Sequence, residues 1–284
     1  IGGVKVAILA HPENAQAPSV LREMRDVLEA RGIEVVIEKE SAQLIGMDGV
    51  EKAWEGAELV ISLGGDGTLL DTVHRVGSCE VPVAGVNIGT LGFLTACTAA
   101  DVEKFATILA RGEQEVVERA VLKVSMREES GVEHTFMALN EVVLMRGSTG
   151  RLISLEARVN GEVLNRYRAD GLIVATPTGS TAYSLAAGGP LIDEQAGVFV
   201  ITPICPHSLS DRSLVLEDNS VVEVVAKGRH PDAVHFTVDG RDVLRLSSES
   251  VVRIEKASTP LQLVRLPEHS YYETLRGKLG WSGG

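Results

Sequence analysis

Leu59-Val60-Ile61-Ser62-Leu63-Gly64-Gly65-Asp66-Gly67-Thr68 runs an apolar strand into a turn of three glycines and one carboxylate, and a segment of helical spacing, Leu69 to Val76, follows it. A glycine turn between the end of a strand and a helix is where α/β proteins keep their ligand sites. The glycines let backbone N–H groups approach a phosphate closely, because no Cβ intrudes, and they reach positive φ without steric cost. The carboxylate of Asp66 would repel a phosphate unless it holds a metal ion or takes a proton from a hydroxyl during phosphoryl transfer. A second reading makes the turn a tight loop with Asp66 as N-cap of the next helix.

Working outward, the first hundred residues alternate β-branched runs with helical ones. Val4 to Leu9 is followed by Val20, Met24, Val27 and Leu28 at helical spacing, then by Gly32 and a run from Glu34 to Ile37. Val83 to Val86 leads into a second glycine loop, Gly89-Thr90-Leu91-Gly92-Phe93-Leu94, and a helix is expected from Asp101 to Arg111, stopped by Gly112. This βαβ rhythm predicts a parallel sheet covered by helices. From Val116 to Val264 the texture changes to short alternating strands, with Asn160-Gly161 and Asp239-Gly240 as two-residue hairpin signals. The expected fold is therefore an α/β N-terminal domain with a Rossmann-like parallel sheet over 1–98, then a mainly antiparallel β domain over 99–267. The helical tail within 268–284 can pack back on the first domain.

With 284 residues, the chain has room for two cores. Its 44% hydrophobic and 23% charged residues are ordinary for a folded protein, and no stretch reaches the ~20 apolar residues that cross a bilayer. A net charge of −12 disfavours nucleic acid or an anionic membrane as partner, so an anionic ligand must be held by local devices. Cys79, Cys97 and Cys205 are an odd number without metal-ligand spacing and read as small buried hydrophobes. Ile1-Gly2-Gly3 is set aside, and the chain opens without a signal-type apolar segment, so the expected location is the cytoplasm. Glu38-Lys39-Glu40 reads as a solvated charge run and His207 as a histidine that orders its own loop.

One long segment, Asp170 to Pro190, breaks the β texture: an apolar strand enters a Thr/Gly/Ser turn and then a short helix of small residues. Hydroxyls at Thr178, Ser180 and Thr181 can cap that helix, and its free N–H groups make an anion seat. Ala182, Ala186 and Ala187 would let a ligand lie on the helix, although a capped helix packed on a sheet explains the same residues. Asn140-Glu141, at a strand start, can read the two hydroxyls of a ribose by donating and accepting, or can simply form a turn. Asp170 likewise admits the reading of a turn cap beside Gly171.

Taken together, these segments resemble the NAD kinases, which phosphorylate NAD on the 2′-hydroxyl of its adenosine ribose. The resemblance covers nearly the whole chain: Gly64 to Thr68, Gly89 to Leu94, Asn140-Glu141, Asp170 to Pro190, Thr202-Pro203, Pro206 to Leu209 and Leu275 to Trp281. Its first element is shared with lipid kinases and phosphofructokinases, whereas Asp170 to Pro190 is far more specific.

The resemblance implies roles residue by residue. Asp66 matches the catalytic acid that accepts the hydroxyl proton, and Gly67 and Phe93 stand beside it on the dinucleotide. Asn140 and Glu141 grip the ribose, Arg151 and Arg168 line the NAD site, and Asp170 lies on the nicotinamide side. Thr181, Ala182, Tyr183, Ser184, Leu185 and Ala186 match the helix start against adenosine, with Tyr183 offering a flat face, and Arg241 completes the binding set. Two positions depart from the family: Ala186 where Ser is frequent, and Arg241 where Gln is frequent. ATP is expected with Mg²⁺, NAD as the substrate, and a homodimer or homotetramer as the assembly. No P-loop Gly-x-x-x-x-Gly-Lys-Ser/Thr is present, so the glycine turn is the expected phosphate cradle. The competing readings are a lipid or sugar kinase with the same turn, and a sensor that binds NAD(P) without turnover.

Overall fold

The structure is a computed structural model that describes residues 4–77, 80–127, 131–147, 152–227, 234–246, 250–268 and 270–281. In chain order the first elements are β1 (Lys5–Ala10), α1 (Ala17–Glu29), β2 (Glu34–Ile37), α2 (Lys39–Gln43), β3 (Leu59–Gly64), α3 (Asp66–Val76), β4 (Val83–Asn87), β5 (Thr95–Thr98) and α4 (Val102–Arg111). Then come β6 (Glu115–Arg119), β7 (Leu122–Arg127), β8 (Glu133–Ala138), β9 (Glu141–Arg146), β10 (Ile153–Val159), β11 (Glu162–Ala169) and β12 (Gly171–Ala175). A 3₁₀ turn at Thr178–Thr181 precedes α5 (Tyr183–Ala186). The remainder is β13 (Val198–Ile204), β14 (Leu214–Glu217), β15 (Val222–Lys227), β16 (Val234–Val238), β17 (Arg241–Arg245), β18 (Val251–Lys256), β19 (Leu261–Arg265) and α6 (Tyr271–Leu279).

The chain forms two compact units, residues 1–118 with 261–284, and residues 119–260. In the first, the sheet order is β2-β1-β3-β4-β19-β6, with β5 also paired to β4. The pairs β1–β2, β1–β3, β3–β4, β4–β5 and β4–β19 are parallel. Strands β1, β3 and β4 are nearly wholly apolar because both faces of such a sheet are covered. Helix α1 buries Ala17, Val20, Leu21, Met24 and Leu28, one stripe at helical spacing, and α4 buries Val102, Phe105, Ala106 and Leu109 into the same core. Gly112, at φ +65°, ends α4 in the left-handed region. The sequence reading places a boundary after Thr98, whereas here the first unit runs on to Glu118 and regains the chain at Leu261. Two contacts cause this: α4 packs into the core of α1, and β19 joins the parallel sheet through Leu263 beside Val83.

The second unit holds two antiparallel sheets, ordered β11-β10-β15-β18-β7-β8 and β14-β13-β12-β9-β16-β17. Alternate residues of both, among them Leu122, Val124, Leu155, Val142, Leu144, Leu172, Val174 and Phe199, meet in one core. The opposite residues of the second sheet, Val143, Ile173, Ala175, Val200 and Ile204, form a further cluster with Ile192. Burial on both faces explains why Gly171–Ala175 is a continuous apolar run. Both expected hairpins are present: Asn160 and Gly161 (φ 51° and 86°) join β10 to β11, and Asp239 and Gly240 (φ 47° and 77°) join β16 to β17. Positive φ at both central residues defines the turn whose twist matches the flanking strands. The expected pairing of a parallel α/β part with a mainly antiparallel part is thus what the chain builds.

Candidate active site

Strand β3 ends at Gly64 and α3 begins at Asp66, which puts the glycine turn at the carboxyl edge of the parallel sheet. The N-cap of α3 is Gly65, so the reading of Asp66 as N-cap does not hold. Instead its carboxylate reaches the second glycine loop, accepting the N–H of Phe93 on Oδ2 at 2.9 Å and that of Leu94 on Oδ1 at 3.1 Å. A Cβ on Gly92 would lie 2.1 Å from Oδ1, so the loop passes this carboxylate at a distance only glycine permits. Further bonds set the loop's path: Ile88 donates to the carbonyl of Gly64, Gly89 to Oδ1 of Asn87, and Gly92 to Oγ1 of Thr95. The ring of Phe93 rests against Tyr271 of α6, centroids 6.3 Å apart, which ties the helical tail to the second glycine loop. Asp66 and Phe93 remain partly exposed and Gly67 is open.

In the second unit, Asn140 and Glu141 stand at the start of β9, held from two sides. The carboxylate of Asp239 accepts N–H groups from Leu139 (2.8 Å), Asn140 (2.8 Å) and Glu141 (3.1 Å). On the carbonyl side, Thr176 donates its hydroxyl to Leu139 O at 2.6 Å and its N–H to Asn140 O at 2.9 Å. Gly179 lies so close that a Cβ there would stand 2.1 Å from Asn140 O. Glu141 is buried, one of its oxygens takes the N–H of Tyr183, and Oε2 has no hydrogen-bond partner among the described residues. Burial, with the Asp239 carboxylate adding to it, pushes the Glu141 carboxyl up to about 7. A buried carboxyl with an unused oxygen, close to neutral affinity for a proton, is equipped to exchange hydrogen bonds with a hydroxyl.

The segment after β12 differs in detail from expectation. No side chain caps α5: Ser180 donates to Pro177 O and accepts from Ile192, and Thr181 donates to Thr178 O. The N–H of Tyr183, expected free for an anion, goes to Glu141. Hydroxyls in a tight 3₁₀ turn find carbonyls of their own turn before they find a helix end. Ser184 is fully buried and its hydroxyl is taken by Thr202 at 2.9 Å. Tyr183 and Ala186 are exposed, while Thr181, Ala182 and Leu185 are half-buried.

Asp170 forms an ion pair with Arg146, Oδ1 to Nε 2.7 Å, rather than a turn cap. Arg168 is exposed on β11, and its carbonyl accepts the N–H of His207, whose side chain is exposed. Arg241 opens β17, immediately after the Asp239-Gly240 turn. Arg151 and Cys79 lie outside the described residues. Cys97 is buried, which pushes its thiol up to about 12, but Cys205 is exposed, contrary to the reading of all three cysteines as buried. Glu38 also departs from the solvated surface expected of its charge run. It caps α2 through the N–H of Ser41 and pairs with Arg75 at 2.5 Å. Burial pushes its carboxyl up, but Ser41 and Arg75 outweigh that and hold it below the ordinary value. Asp239 and Thr176 were not legible as site residues. Asp239 carries only the signal of a hairpin turn, and its reach to Leu139 spans the fold rather than the sequence.

One unit carries a carboxylate in a glycine turn at the edge of a parallel sheet, and the other a buried carboxyl beside a short helix; the chain's relatives give it the class of a nucleotide-dependent phosphotransferase. The ATP-NAD kinase N-terminal domain matches residues 6–114, and the ATP-NAD kinase C-terminal domain matches residues 139–266. The NAD kinase of Syntrophotalea carbinolica is 38% identical over 282 residues, 98% of each chain. The chain belongs to the ATP-NAD kinase family. Among solved structures, yeast NADH kinase complexed with NADH matches with a TM-score of 0.92 and 26% identity, covering 100% of this chain and 89% of that one. The NAD kinase from Archaeoglobus fulgidus in complex with ATP matches in fold, with a TM-score of 0.76 and 24% identity over 99% of this chain and 100% of that one.

Proposed function

We propose that this chain transfers the γ-phosphoryl group of ATP to the 2′-hydroxyl of the adenosine ribose of NAD, giving NADP, with Asp66 as general base. The observation that carries the assignment of the base is the Asp66 carboxylate itself, turned away from its own helix and held by two N–H groups of the Phe93 loop. Each oxygen accepts one N–H and keeps a lone pair for a hydroxyl. As the ribose oxygen bonds to phosphorus and the bond from phosphorus to the β–γ bridging oxygen breaks, the hydroxyl proton passes to Asp66 and ADP departs. Such a transfer asks for positioning and charge neutralisation more than for covalent catalysis. ATP enters as its Mg²⁺ complex, so the metal belongs to the substrate, and the glycine turn, with Gly67 open, meets the phosphates, the Gly65 N–H being taken already by Oγ1 of Thr68.

NAD is held in this reading by Asn140 and Glu141 at the ribose, where the unpartnered Oε2 of Glu141 fits a hydroxyl. The exposed face of Tyr183, with Thr181, Ala182, Leu185 and Ala186, lies along the adenosine. Arg151 and Arg168 serve the diphosphate, Asp170 the nicotinamide side, and Phe93 and Arg241 the remaining edges. Ser184 supports this wall from behind through Thr202. Relatives at the 38% level carry the name NAD kinase, which favours NAD over NADH as acceptor. A homodimer or homotetramer in the cytoplasm is the proposed setting. Among the described residues no helix is long and apolar enough to cross a membrane.

The test is NADP formation from NAD with ATP and Mg²⁺, against a chelator control and a polyphosphate donor. Asp66→Asn is expected to lower kcat by about a thousandfold or more while NAD binding by calorimetry stays within about tenfold. Substantial turnover in that variant would reduce Asp66 to a loop anchor.

A further inference from the structure

We propose that Asp239 is a positioning residue of the substrate site: its carboxylate gathers the N–H groups of Leu139, Asn140 and Glu141 and so fixes the amide and the carboxyl that grip the ribose. The inference rests on the reading above that Asn140 and Glu141 contact NAD. Oδ1 takes two of the three N–H groups and Oδ2 the third, at 2.8, 3.1 and 2.8 Å. Hydrogen bonds to an ionised acceptor are about twice as strong as neutral ones. Asp239 also donates its own N–H to Glu141 O at 3.0 Å, so turn and strand start are locked in both directions. With the carbonyls of Leu139 and Asn140 tied to Thr176, the peptide units here have little freedom left.

A hairpin turn does not need this arrangement. The hairpin at Asn160-Gly161 has the same backbone signs, yet its Asn160 side chain accepts a single N–H, from Val221 just before β15. Asp239 instead reaches the only described carboxyl that is buried with an unused oxygen. Asp239 bears on Glu141 from the β16–β17 turn, the Tyr183 N–H faces it from α5, and its neighbour across β12 is Ala175. Both effects of Asp239 on Glu141 therefore act on substrate: it sets where the carboxyl stands, and its charge favours keeping a proton there.

Asp239→Asn puts an amide nitrogen where an oxygen now accepts N–H, turning at least one attraction into a repulsion. The KM for NAD is expected to rise about tenfold or more while the KM for ATP stays within about twofold. The kcat/KM for NAD is expected to inflect where Glu141 takes up its proton, and in the variant that inflection should lie at lower pH, since the like charge beside Glu141 is gone. An unchanged KM for NAD, or equal rises for both substrates, would overturn the proposal. The unsubstituted enzyme assayed alongside separates the two: no NADP from that enzyme would overturn the parent reading, whereas NADP formed with an unchanged KM for NAD in the variant would overturn only this proposal. Should the variant not fold, hydrogen exchange in the unsubstituted protein decides. The Leu139–Glu141 amides must exchange slowly in D₂O, and exchange at free-peptide rates would contradict the clamp.

Discussion

A Cβ at Gly92 would lie 2.1 Å from Oδ1 and 2.6 Å from Cγ of Asp66, well inside contact distance. Neither group can retreat cheaply, because the carboxylate is bonded to the next two N–H groups and Gly92 itself donates to Thr95. Gly92→Ala therefore must either push the carboxylate off Phe93 and Leu94 or displace the loop. Overpacking of this kind costs about 1–3 kcal/mol. In the proposed reaction the cost falls on the geometry of the base, so kcat is expected to drop about ten- to a hundredfold with the KM for NAD little changed. Steady-state kinetics, with a thermal melt to confirm folding, would show it. A variant with full kcat would mean that the contact between Asp66 and the loop is not used in turnover.

The helical tail gives the same loop its outer support. Ser270 caps α6 by accepting the N–H of Glu273 at 3.3 Å, and Gly280 ends the helix at φ +66°. Ser270→Ala is expected to cost about 1 kcal/mol by urea denaturation, with Tyr271 and its contact to Phe93 loosened first. The helix was legible from the Tyr271–Leu279 spacing and its terminal glycine, as were β3, α3 and β4 from their uninterrupted apolar runs. What was not legible has physical reasons. Strands β11 and β8 lie at sheet edges, and residues such as Arg166, Arg168, Thr135 and Met137 are exposed there, which dilutes the alternation. Strand β19 is a short run, Leu261–Arg265, with no helix before it to mark a βαβ unit, and only its partner Val83, distant in sequence, reveals that it runs parallel. Asp66, Asn140 and Glu141 stand out as candidates from local chemistry, whereas the burial of Glu38 and the reach of Asp239 do not show in the sequence. Their burial and their partners Arg75 and Leu139–Glu141 come from chain segments far away.

At the scale of the whole molecule, two of the buried carboxyls, one in each unit, answer pH in opposite senses. Glu38 is held below its ordinary value, so the stability it lends the first unit is present above the unfolded value of 4.5 and is lost as pH falls through the lower folded one. Glu141 is raised from 4.5 to about 7, so between those values the folded chain holds a proton that the unfolded chain has released. Stability there falls as pH rises, and the loss is complete once pH passes the folded value. The full difference corresponds to about 3 kcal/mol. Glu141→Gln cannot ionise, and its carbonyl can still accept the Tyr183 N–H, so it isolates this contribution. Urea denaturation of both proteins across pH should show the variant gaining on the unsubstituted chain by about 2–3 kcal/mol between pH 5 and pH 8. A constant difference would mean that Glu141 ionises in the folded protein as it does in the unfolded one. The same experiment bears on the proposed function, because strongly perturbed carboxyls cluster at functional sites. NAD should then protect the unsubstituted chain more at pH 8 than it protects Glu141→Gln, since only the former has a desolvated charge for the ribose hydroxyls to satisfy.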